Sequence, residues 1–129
     1  MNDRTVRTRW TGGMRAVTDV DGFELVVDEP DIHGGTGTGP QPTDLLLASV
    51  SSCIALSVAF VARKRGVELP DLQVTVVGSY LGLEFERIAA TIISSTPREV
   101  LEGLVTEAER VCYVSNTLRH RPELVIGVG

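Results

Sequence analysis

The sequence predicts an α+β fold, and three patterns carry that prediction. Alternating apolar and polar residues fill the first part of the chain and are interrupted by the tight-turn pair Asp21-Gly22. An uncharged segment, Leu45–Ala62, follows with the character of a long helix. The strand pattern then returns and leads into an amphipathic helix. The chain, residues 1–129, is therefore predicted to form a single domain that is large enough for a hydrophobic core.

The first three strands are expected at VRTRW, MRAVTDV and FELVVD, with turns at Gly12-Gly13 and Asp21-Gly22. The next stretch, EPDIHGGTGTGPQP, is dense in glycine and proline, which predicts a loop. No Gly-Lys-Ser/Thr closes this loop, so it is not a phosphate-binding loop. It is expected to be either a flexible connector or a mobile flap over a site.

Pro42 and Thr43 are expected to start the long helix, with Thr43 as its N-cap and Asp44 in the first turn at the positive end of the helix dipole. Gly66 follows three cationic residues and is a typical C-terminal stop. The uncharged segment is close to the roughly 20 apolar residues that span a membrane. It contains four serines, however, and the chain has no second such segment. We therefore expect a helix that is buried on nearly all sides in a protein that does not enter a membrane.

The second half predicts a hairpin, a helix and a final strand. LQVTVVGSY and ERIAATIIS form the hairpin through Gly82, and Thr96, Pro97 and Glu99 resemble a capping box. Apolar residues recur at helical spacing up to Cys112, which directs that thiol toward the core. Ser115-Asn116 is expected to end this helix, and ELVIGV is expected to form the last strand.

Charge and cysteine content narrow the function classes. The net charge is −5 with both signs interspersed, which argues against nucleic acid as a partner because phosphate binding needs a concentrated basic surface. The charged N-terminus lacks the apolar core of a secretion signal, so the expected location is cytoplasmic. Structural disulfides are normally reduced there. Any pairing of the two cysteines, Cys53 and Cys112, would then be transient and catalytic.

The residues alone leave two interpretations of the thiols open, a redox couple or two structural core cysteines. Burial would raise the pKa of the Cys53 thiol and make it inert, so a reactive Cys53 needs a cation from elsewhere in the fold. Zinc is not expected, because Cys53, Cys112, His33 and His120 lack the close pairs of a zinc site. The histidines are expected at the surface, and the absence of Gly-x-Ser-x-Gly argues against a serine hydrolase.

Two segments resemble a known family. GPQPTDLLLASVSSCIALSVAFVARKRGVEL is similar to the central helix of the OsmC/Ohr family of thiol-dependent hydroperoxide reductases, and RVCYVSNTL resembles that family's second cysteine segment. The resemblance extends from the glycine-rich loop through Leu118. It implies the OsmC-like fold, in which antiparallel strands surround two long central helices of an intertwined homodimer. It also implies that no metal, haem or flavin cofactor is needed.

The resemblance further implies a chemistry. Cys53 would attack an organic hydroperoxide and become a sulfenic acid, and Cys112 would resolve it as a disulfide. A dithiol reductant, which the family suggests is of lipoyl type, would then restore both thiols. Asn116 and Thr117 match the family's tail and would hydrogen-bond in the substrate site near Cys112, although ending the helix is an alternative role for Asn116.

The same resemblance suggests an arginine near the sulfur and a carboxylate that holds it. Arg15 is the nearest candidate in position, with Arg7 and Arg9 as weaker ones, and Asp44 is the candidate carboxylate. This chain has Thr43 where the most active organic-hydroperoxide members have glutamate. Asp44 could therefore serve only the helix dipole, and Arg15 could be an ordinary solvated strand residue. This departure motivates an alternative function, a protein that binds a small apolar ligand or senses oxidants with little turnover.

Overall fold

A computed structural model describes residues 2–129, in which five strands and three α-helices alternate as an α+β protein. The chain divides into two compact units, one that extends to Leu46 and one that comprises Leu47–Gly129. Nothing in this division tests the prediction of a single domain. Each unit is described separately below.

The first unit contains an antiparallel meander of β1 (Arg7–Trp10), β2 (Ala16–Val20) and β3 (Phe23–Val27), with β2 in the centre. The turn between β2 and β3 lies at the predicted Asp21-Gly22 pair. Both residues have positive φ, 49° and 87°. Aspartate tolerates this region better than most residues, and glycine enters it without steric cost, so the pair closes a two-residue hairpin. The three predicted strands and this turn are confirmed.

The glycine-rich loop after β3 has a defined internal framework. It contains a single 3-10 turn, Asp31–His33, and then returns to the end of β3, where the Asp28 backbone N–H donates to the Pro40 carbonyl over 3.1 Å. Hydrogen bonds to the buried Asp28 carboxylate hold the interior of the loop. The predicted connector is therefore a loop with a specific hydrogen-bonded structure.

The second unit holds most of the long helix α1 and all later elements. The bounds are Pro42–Arg65 for α1, Gln73–Leu81 and Glu84–Ile93 for the antiparallel hairpin β4–β5, Arg98–Val111 for α2, and Tyr113–Arg119 for α3. The core lies where α1 meets α2, and its buried residues are Val58, Val61, Ala62, Leu104 and Ala108. Burial of each large apolar side chain in such a core contributes about 1.5–3 kcal/mol.

An ion-pair cluster fixes the end of α1 against α2. Glu107 of α2 accepts hydrogen bonds from Lys64 and Arg65 at the C-terminus of α1. These hydrogen bonds hold the pKa of the Glu107 carboxyl below its ordinary value. Packing and charge together thus set the position of α2 along α1.

The chain end after α2 differs from the prediction. Ser115-Asn116 does not end a helix but lies inside α3, because Cys112 adopts an extended conformation (φ −83°, ψ 102°) that ends α2 and starts a new helix. The predicted last strand, ELVIGV, is also wrong: the described residues 121–129 contain no strand. A strand needs a neighbour for its N–H and C=O groups, and none of the described strands pairs with this segment.

The helix caps differ from the prediction. α1 begins at Pro42, as predicted, so Thr43 lies inside the helix and is not its N-cap. At α2 the N-cap is Pro97 and makes no side-chain cap, so the predicted capping box does not form. The Thr96 hydroxyl instead donates to the Glu68 carbonyl over 3.1 Å, because Thr96 is buried against the preceding connection.

The long helix α1 is less buried than predicted. Among the described residues, α1 is the single helix that is long and apolar enough, by length and composition alone, to cross a membrane. Of its most apolar stretch, 28% is buried. Val50, Ser57, Val58, Val61 and Ala62 are its buried residues, and Leu56 and Phe60 are exposed. One chain covers one face of α1, so the expected burial on nearly all sides is wrong for the isolated chain.

Candidate functional site

The two cysteines of the chain lie in contact. Cys53 is on α1 and Cys112 is at the junction of α2 and α3, and their Sγ atoms are 3.2 Å apart although the residues are separated by 59 positions. Both thiols are free. In the neutral pair the Cys112 thiol donates a hydrogen bond to Cys53 Sγ. A disulfide needs its sulfurs at about 2.05 Å, so a shift of about 1 Å would complete the bond.

The backbone break between α2 and α3 produces this contact. Cys112 is the one residue between the two helices, and its extended conformation separates its side chain from the regular helical path. Cys112 is 1% exposed, whereas Cys53 is half-buried. The pair therefore has one thiol that solvent or a small molecule can reach and one that the fold encloses.

Two serines surround the enclosed thiol. The hydroxyl of Ser115 lies 3.1 Å from Cys112 Sγ. Burial raises the pKa of the Cys112 thiol, but hydrogen bonds from the hydroxyl and backbone N–H of Ser115, the Cys53 thiol and the Ser57 hydroxyl outweigh it. The net effect lowers the pKa of Cys112 below its ordinary value. When Cys112 ionises, Cys53 becomes the donor in the sulfur–sulfur hydrogen bond.

A cavity of about 530 Å³ borders Cys112. Side chains of α1, β5, α2 and α3 line it, and its apolar wall includes Val50, Ile54, Ile88 and Val105. Glu109 and Arg119 also line it and form an exposed ion pair over 3.7 Å. Such a combination of an apolar wall and charged groups suits a small, mostly apolar molecule with one polar end.

The predicted arginine and carboxylate have partners other than each other. Arg15 Nε donates to the Thr38 hydroxyl over 3.3 Å, and Arg15 Nη1 donates to the Thr11 hydroxyl over 3.1 Å. Asp44 Oδ2 accepts from the backbone N–H of Gln41 over 3.0 Å, which is a helix-start contact. Within residues 2–129 no ion pair joins Arg15 to Asp44. Asp44 thus bonds to the backbone at the start of α1, and its proposed role toward Arg15 stays a prediction.

The weaker candidates Arg7 and Arg9 lie on β1. Arg9 forms an exposed ion pair with Glu24 over 3.2 Å. Exposed pairs of this kind contribute about 0–1 kcal/mol. Among the three arginines, Arg15 is the one that two side-chain hydroxyls hold, and it remains the strongest candidate.

Asn116 and Thr117 bond to their own backbone. Asn116 Nδ2 donates to the Arg110 carbonyl over 3.3 Å, and the Thr117 hydroxyl donates to the Tyr113 carbonyl over 2.8 Å. On α3 the cavity is instead lined by Ser115, Leu118 and Arg119. In this chain Asn116 and Thr117 stabilise the α2–α3 corner, and their contact with a substrate stays a prediction.

Sequence reasoning missed the two serines, Ser57 and Ser115. A Cys-x-x-Ser spacing at the start of a helix could have revealed Ser115, because the third residue of a helix lies over the capping residue. Ser57 lies four residues after Cys53 on α1, but an isolated serine in an apolar helix gives no distinct signal. In the described part of the chain no group of three His, Cys, Asp or Glu side chains could hold a metal ion, and His33 and His120 are exposed.

The fold and the thiol pair define an α+β protein in which a half-buried cysteine contacts a buried one. The family model described as OsmC-like protein matches residues 35–126, and the chain belongs to this family. The match includes both cysteine segments, and the family resemblance seen in the sequence is confirmed.

Three similar proteins are distant in sequence from this chain. The chain is 26% identical over 70 residues to the uncharacterized protein YmaD of Bacillus subtilis (strain 168), a match that spans 53% of this chain and 47% of that protein. It shares its fold with the organic hydroperoxide resistance protein OsmC of Legionella pneumophila (21% identity, TM-score 0.67, 92% and 90% of the two chains). An organic hydroperoxide resistance protein of Elizabethkingia anophelis is similar to the same degree (20% identity, TM-score 0.67, 94% and 91%).

The electrostatics of the pair give a direct test of Ser115. In a Cys53→Ser background, Ser115→Ala should raise the pKa of Cys112, because the thiolate loses a hydroxyl donor while its burial is unchanged. The ultraviolet absorbance of the thiolate as a function of pH measures this shift. Ser115→Thr, which keeps the hydroxyl, is the matched control and should titrate close to the parent. An unchanged titration in Ser115→Ala would contradict the assigned role.

Proposed function

We propose that this protein is a thiol-dependent peroxidase that reduces organic hydroperoxides. The observation that carries the proposal is the 3.2 Å contact between the Cys53 and Cys112 sulfurs. Structural thiols need no such contact, whereas a peroxidase that recovers through an intrachain disulfide requires it. Membership of the OsmC-like family and the names of two proteins with the same fold support the same chemistry.

The reaction begins at the reachable sulfur. The Cys53 thiolate attacks the terminal oxygen of the hydroperoxide, the O–O bond breaks, and the alkoxide takes a proton and leaves as the alcohol. Cys53 is now a sulfenic acid. The Cys112 thiolate attacks that sulfur, the S–O bond breaks, and hydroxide leaves as water after protonation. A dithiol of unspecified structure, such as a lipoyl-type compound, then reduces the disulfide and is itself oxidised.

The lowered pKa of Cys112 suits the second step. The resolving thiol must be ionised to attack, and Ser115 and Ser57 supply the hydrogen bonds that stabilise its thiolate. Cys112 is 1% exposed, and its Sγ lies 3.2 Å from the sulfur that it would attack. Cys53 is half-buried and is therefore the sulfur that reaches substrate first.

The substrate class follows from the walls of the cavity near the pair. Its apolar side chains favour an alkyl or aryl hydroperoxide over hydrogen peroxide, which gains little from apolar surroundings. Arg15 is the proposed cation for Cys53, since a thiolate in apolar surroundings requires a positive neighbour. The proposed location is the cytoplasm, where dithiol reductants keep such pairs reduced.

Cysteine variants test the mechanism. Cys53→Ser should abolish consumption of cumene hydroperoxide in the presence of a dithiol, because no sulfenic acid can form. Without the dithiol, Cys112→Ser should consume one equivalent and then stop, because its sulfenic acid cannot be resolved within the chain. Mass spectrometry of the chain after one equivalent of peroxide distinguishes unmodified Cys53→Ser from Cys112→Ser with a sulfenic acid.

The wild-type protein is the reference in this experiment and should lose two hydrogen atoms as it forms the intrachain disulfide. Full turnover in Cys53→Ser would rule out the mechanism. Turnover that survives in Cys112→Ser at the wild-type rate would remove Cys112 from it.

We also propose that the protein acts as a homodimer. Cys53 is followed on α1 by Leu56 and Phe60, which lie three and seven residues later on the same face and are 71% and 47% exposed. The C-terminal segment is exposed as well, with apolar residues at Leu124, Val125, Ile126 and Val128. A soluble monomer rarely leaves so much apolar surface uncovered. A second copy that packs on α1 would cover this surface and enclose Cys53.

The oligomeric state can be measured directly. Light scattering at micromolar concentration should give twice the chain mass of 13.9 kDa. Leu56→Glu should shift the protein toward the monomer, because a carboxylate would be placed in the apolar interface. Ile32→Glu is the control, since Ile32 is exposed but lies on the loop rather than on α1. A wild-type mass of one chain would contradict the dimer.

A second candidate function is binding of a small apolar ligand, or oxidant sensing, with little turnover. Thr43 at the family's glutamate position and the separate partners of Arg15 and Asp44 favour it. Peroxide titration separates the two functions. Rapid formation of the Cys53–Cys112 disulfide that a dithiol reverses supports the peroxidase, and a thiol pair that stays reduced supports ligand binding.

A further inference from the structure

Asp28 is a buried carboxylate to which the chemistry above assigns no role. It lies directly after β3 and is 1% exposed. Its Oδ1 accepts the backbone N–H groups of Glu29 and Thr36, over 2.8 and 3.4 Å. Its Oδ2 accepts the hydroxyls of Thr36 and Thr38, over 2.6 and 2.7 Å, and the backbone N–H of Thr38 over 3.1 Å. Five donors from the loop therefore converge on one carboxylate.

Two glycines allow the loop to close this tightly. A Cβ at Gly35 would lie 1.8 Å from the Glu29 carbonyl oxygen and 2.8 Å from Asp28 Oδ1. A Cβ at Gly39 would lie 2.4 Å from the Val26 carbonyl oxygen. No side chain fits at either position without moving backbone. The alternation of glycine and threonine in GTGTG thus presses the loop onto β3 and directs both threonine hydroxyls at Asp28.

Thr38 joins this carboxylate to Arg15. Its hydroxyl has one proton, which it donates to Asp28 Oδ2, so it can only accept from the guanidinium. Arg15 Nε is that donor, at 3.3 Å. On the other side of the guanidinium, Nη1 donates to the Thr11 hydroxyl, which in turn donates to the Arg15 carbonyl over 3.1 Å. The donor and the acceptor of each hydrogen bond that links Asp28, Thr38, Arg15 and Thr11 are therefore fixed.

We propose that Asp28, acting through the Thr38 hydroxyl, is the positioning residue that orients the Arg15 guanidinium. This inference rests on the proposed function, in which Arg15 is the cation for Cys53. The arrangement replaces a direct carboxylate–guanidinium pair by a hydroxyl relay. The guanidinium is thereby held in place without a carboxylate in contact with it, which leaves its positive charge available to a thiolate.

The charge state of Asp28 makes the relay permanent. Hydrogen bonds from Thr36 and Thr38 hold the pKa of the Asp28 carboxyl well below its usual range, against the opposing effect of burial. Asp28 therefore stays ionised at any pH at which the protein would work. The Thr38 hydroxyl always has the same acceptor, and its lone pairs always face Arg15.

Thr36 and Thr38 offer a matched pair of substitutions. Thr36→Val and Thr38→Val each remove one hydroxyl that donates to Asp28 Oδ2, and both keep the backbone N–H that bonds to this carboxylate. Of these two hydroxyls, that of Thr38 also accepts a hydrogen bond from Arg15 Nε. A merely structural role for the cluster predicts equal effects, whereas the relay predicts a difference.

The rate of Cys53 oxidation measures that difference. In a Cys112→Ser background, the second-order rate constant with cumene hydroperoxide is followed by mass spectrometry of the dimedone-trapped sulfenic acid. Thr38→Val should lower it about 10-fold or more, since misorientation of a catalytic group by about 1 Å can cost 10²-fold. Thr36→Val should stay within about 2-fold of the parent, and Thr38→Ser should restore the rate because it keeps the hydroxyl. Equal losses in the two valine variants, or no loss in Thr38→Val, would overturn the inference.

A second readout does not depend on turnover. The Nε–Hε resonance of Arg15 in an NMR spectrum should be slow to exchange with water in the parent, Thr36→Val and Thr38→Ser, and fast in Thr38→Val. Failure of the parent to form sulfenic acid would remove the proposed function, and the resonance would still decide the relay. A parent that reacts while Arg15→Ala reacts equally fast would keep the peroxidase and overturn the inference.

Discussion

The contact between the Cys53 and Cys112 sulfurs is the interaction on which the account of this protein depends. Neither cysteine is unusual alone: one lies in the middle of an apolar helix and the other at the end of an amphipathic one. The core between α1 and α2 brings them together, because Leu104 and Ala108 pack against Val58, Val61 and Ala62. Since core packing permits only small displacements, the separation of the sulfurs is a property of the whole α1–α2 interface.

The two thiols of the site have different environments, which suit different steps of the proposed reaction. The half-buried Cys53 can meet a substrate, whereas the enclosed Cys112 has the serine hydroxyls that favour its thiolate. Attack by the second thiolate on an oxidised first sulfur needs both properties at once. In the first unit, a separate cluster built on Asp28 holds Arg15 through hydroxyl groups. Hydrogen bonds from serine and threonine therefore recur wherever the proposed chemistry needs a charge to be held.

Much of the fold follows from local sequence rules, and two of the errors have a common origin. Strand alternation, the Asp21-Gly22 turn and the uncharged helix are strong local signals, and the structure bears them out. The final strand ELVIGV and the complete burial of α1 were predicted from apolar character alone. Apolar residues indicate that a surface is buried, but they do not indicate whether the same chain or a second copy buries it. These two errors thus lie on the surfaces that the proposed dimer would bury.

Less of the candidate site than of the fold could be predicted from local sequence patterns. The cysteine pair was suggested by resemblance rather than by spacing, because a separation of 59 residues has no local signature. Asp28 was missed because an aspartate between a strand and a proline is usual in turns. The alternation of glycine and threonine in GTGTG was the available signal, since glycines that recur with hydroxyl residues indicate a loop wrapped around an acceptor. The helical break at Cys112 was not predicted, because apolar residues at helical spacing continue up to Cys112 and no glycine or proline marks the break.

The effective concentration of the two thiols tests the central claim most directly. The equilibrium between the reduced pair and its disulfide is measured in a glutathione redox buffer, once for the folded protein and once in denaturant. A fold that holds the sulfurs in contact should raise the effective concentration by about two orders of magnitude or more over the denatured chain. Equal values in the two states would mean that the fold does not bring Cys53 and Cys112 together, and the account would be wrong.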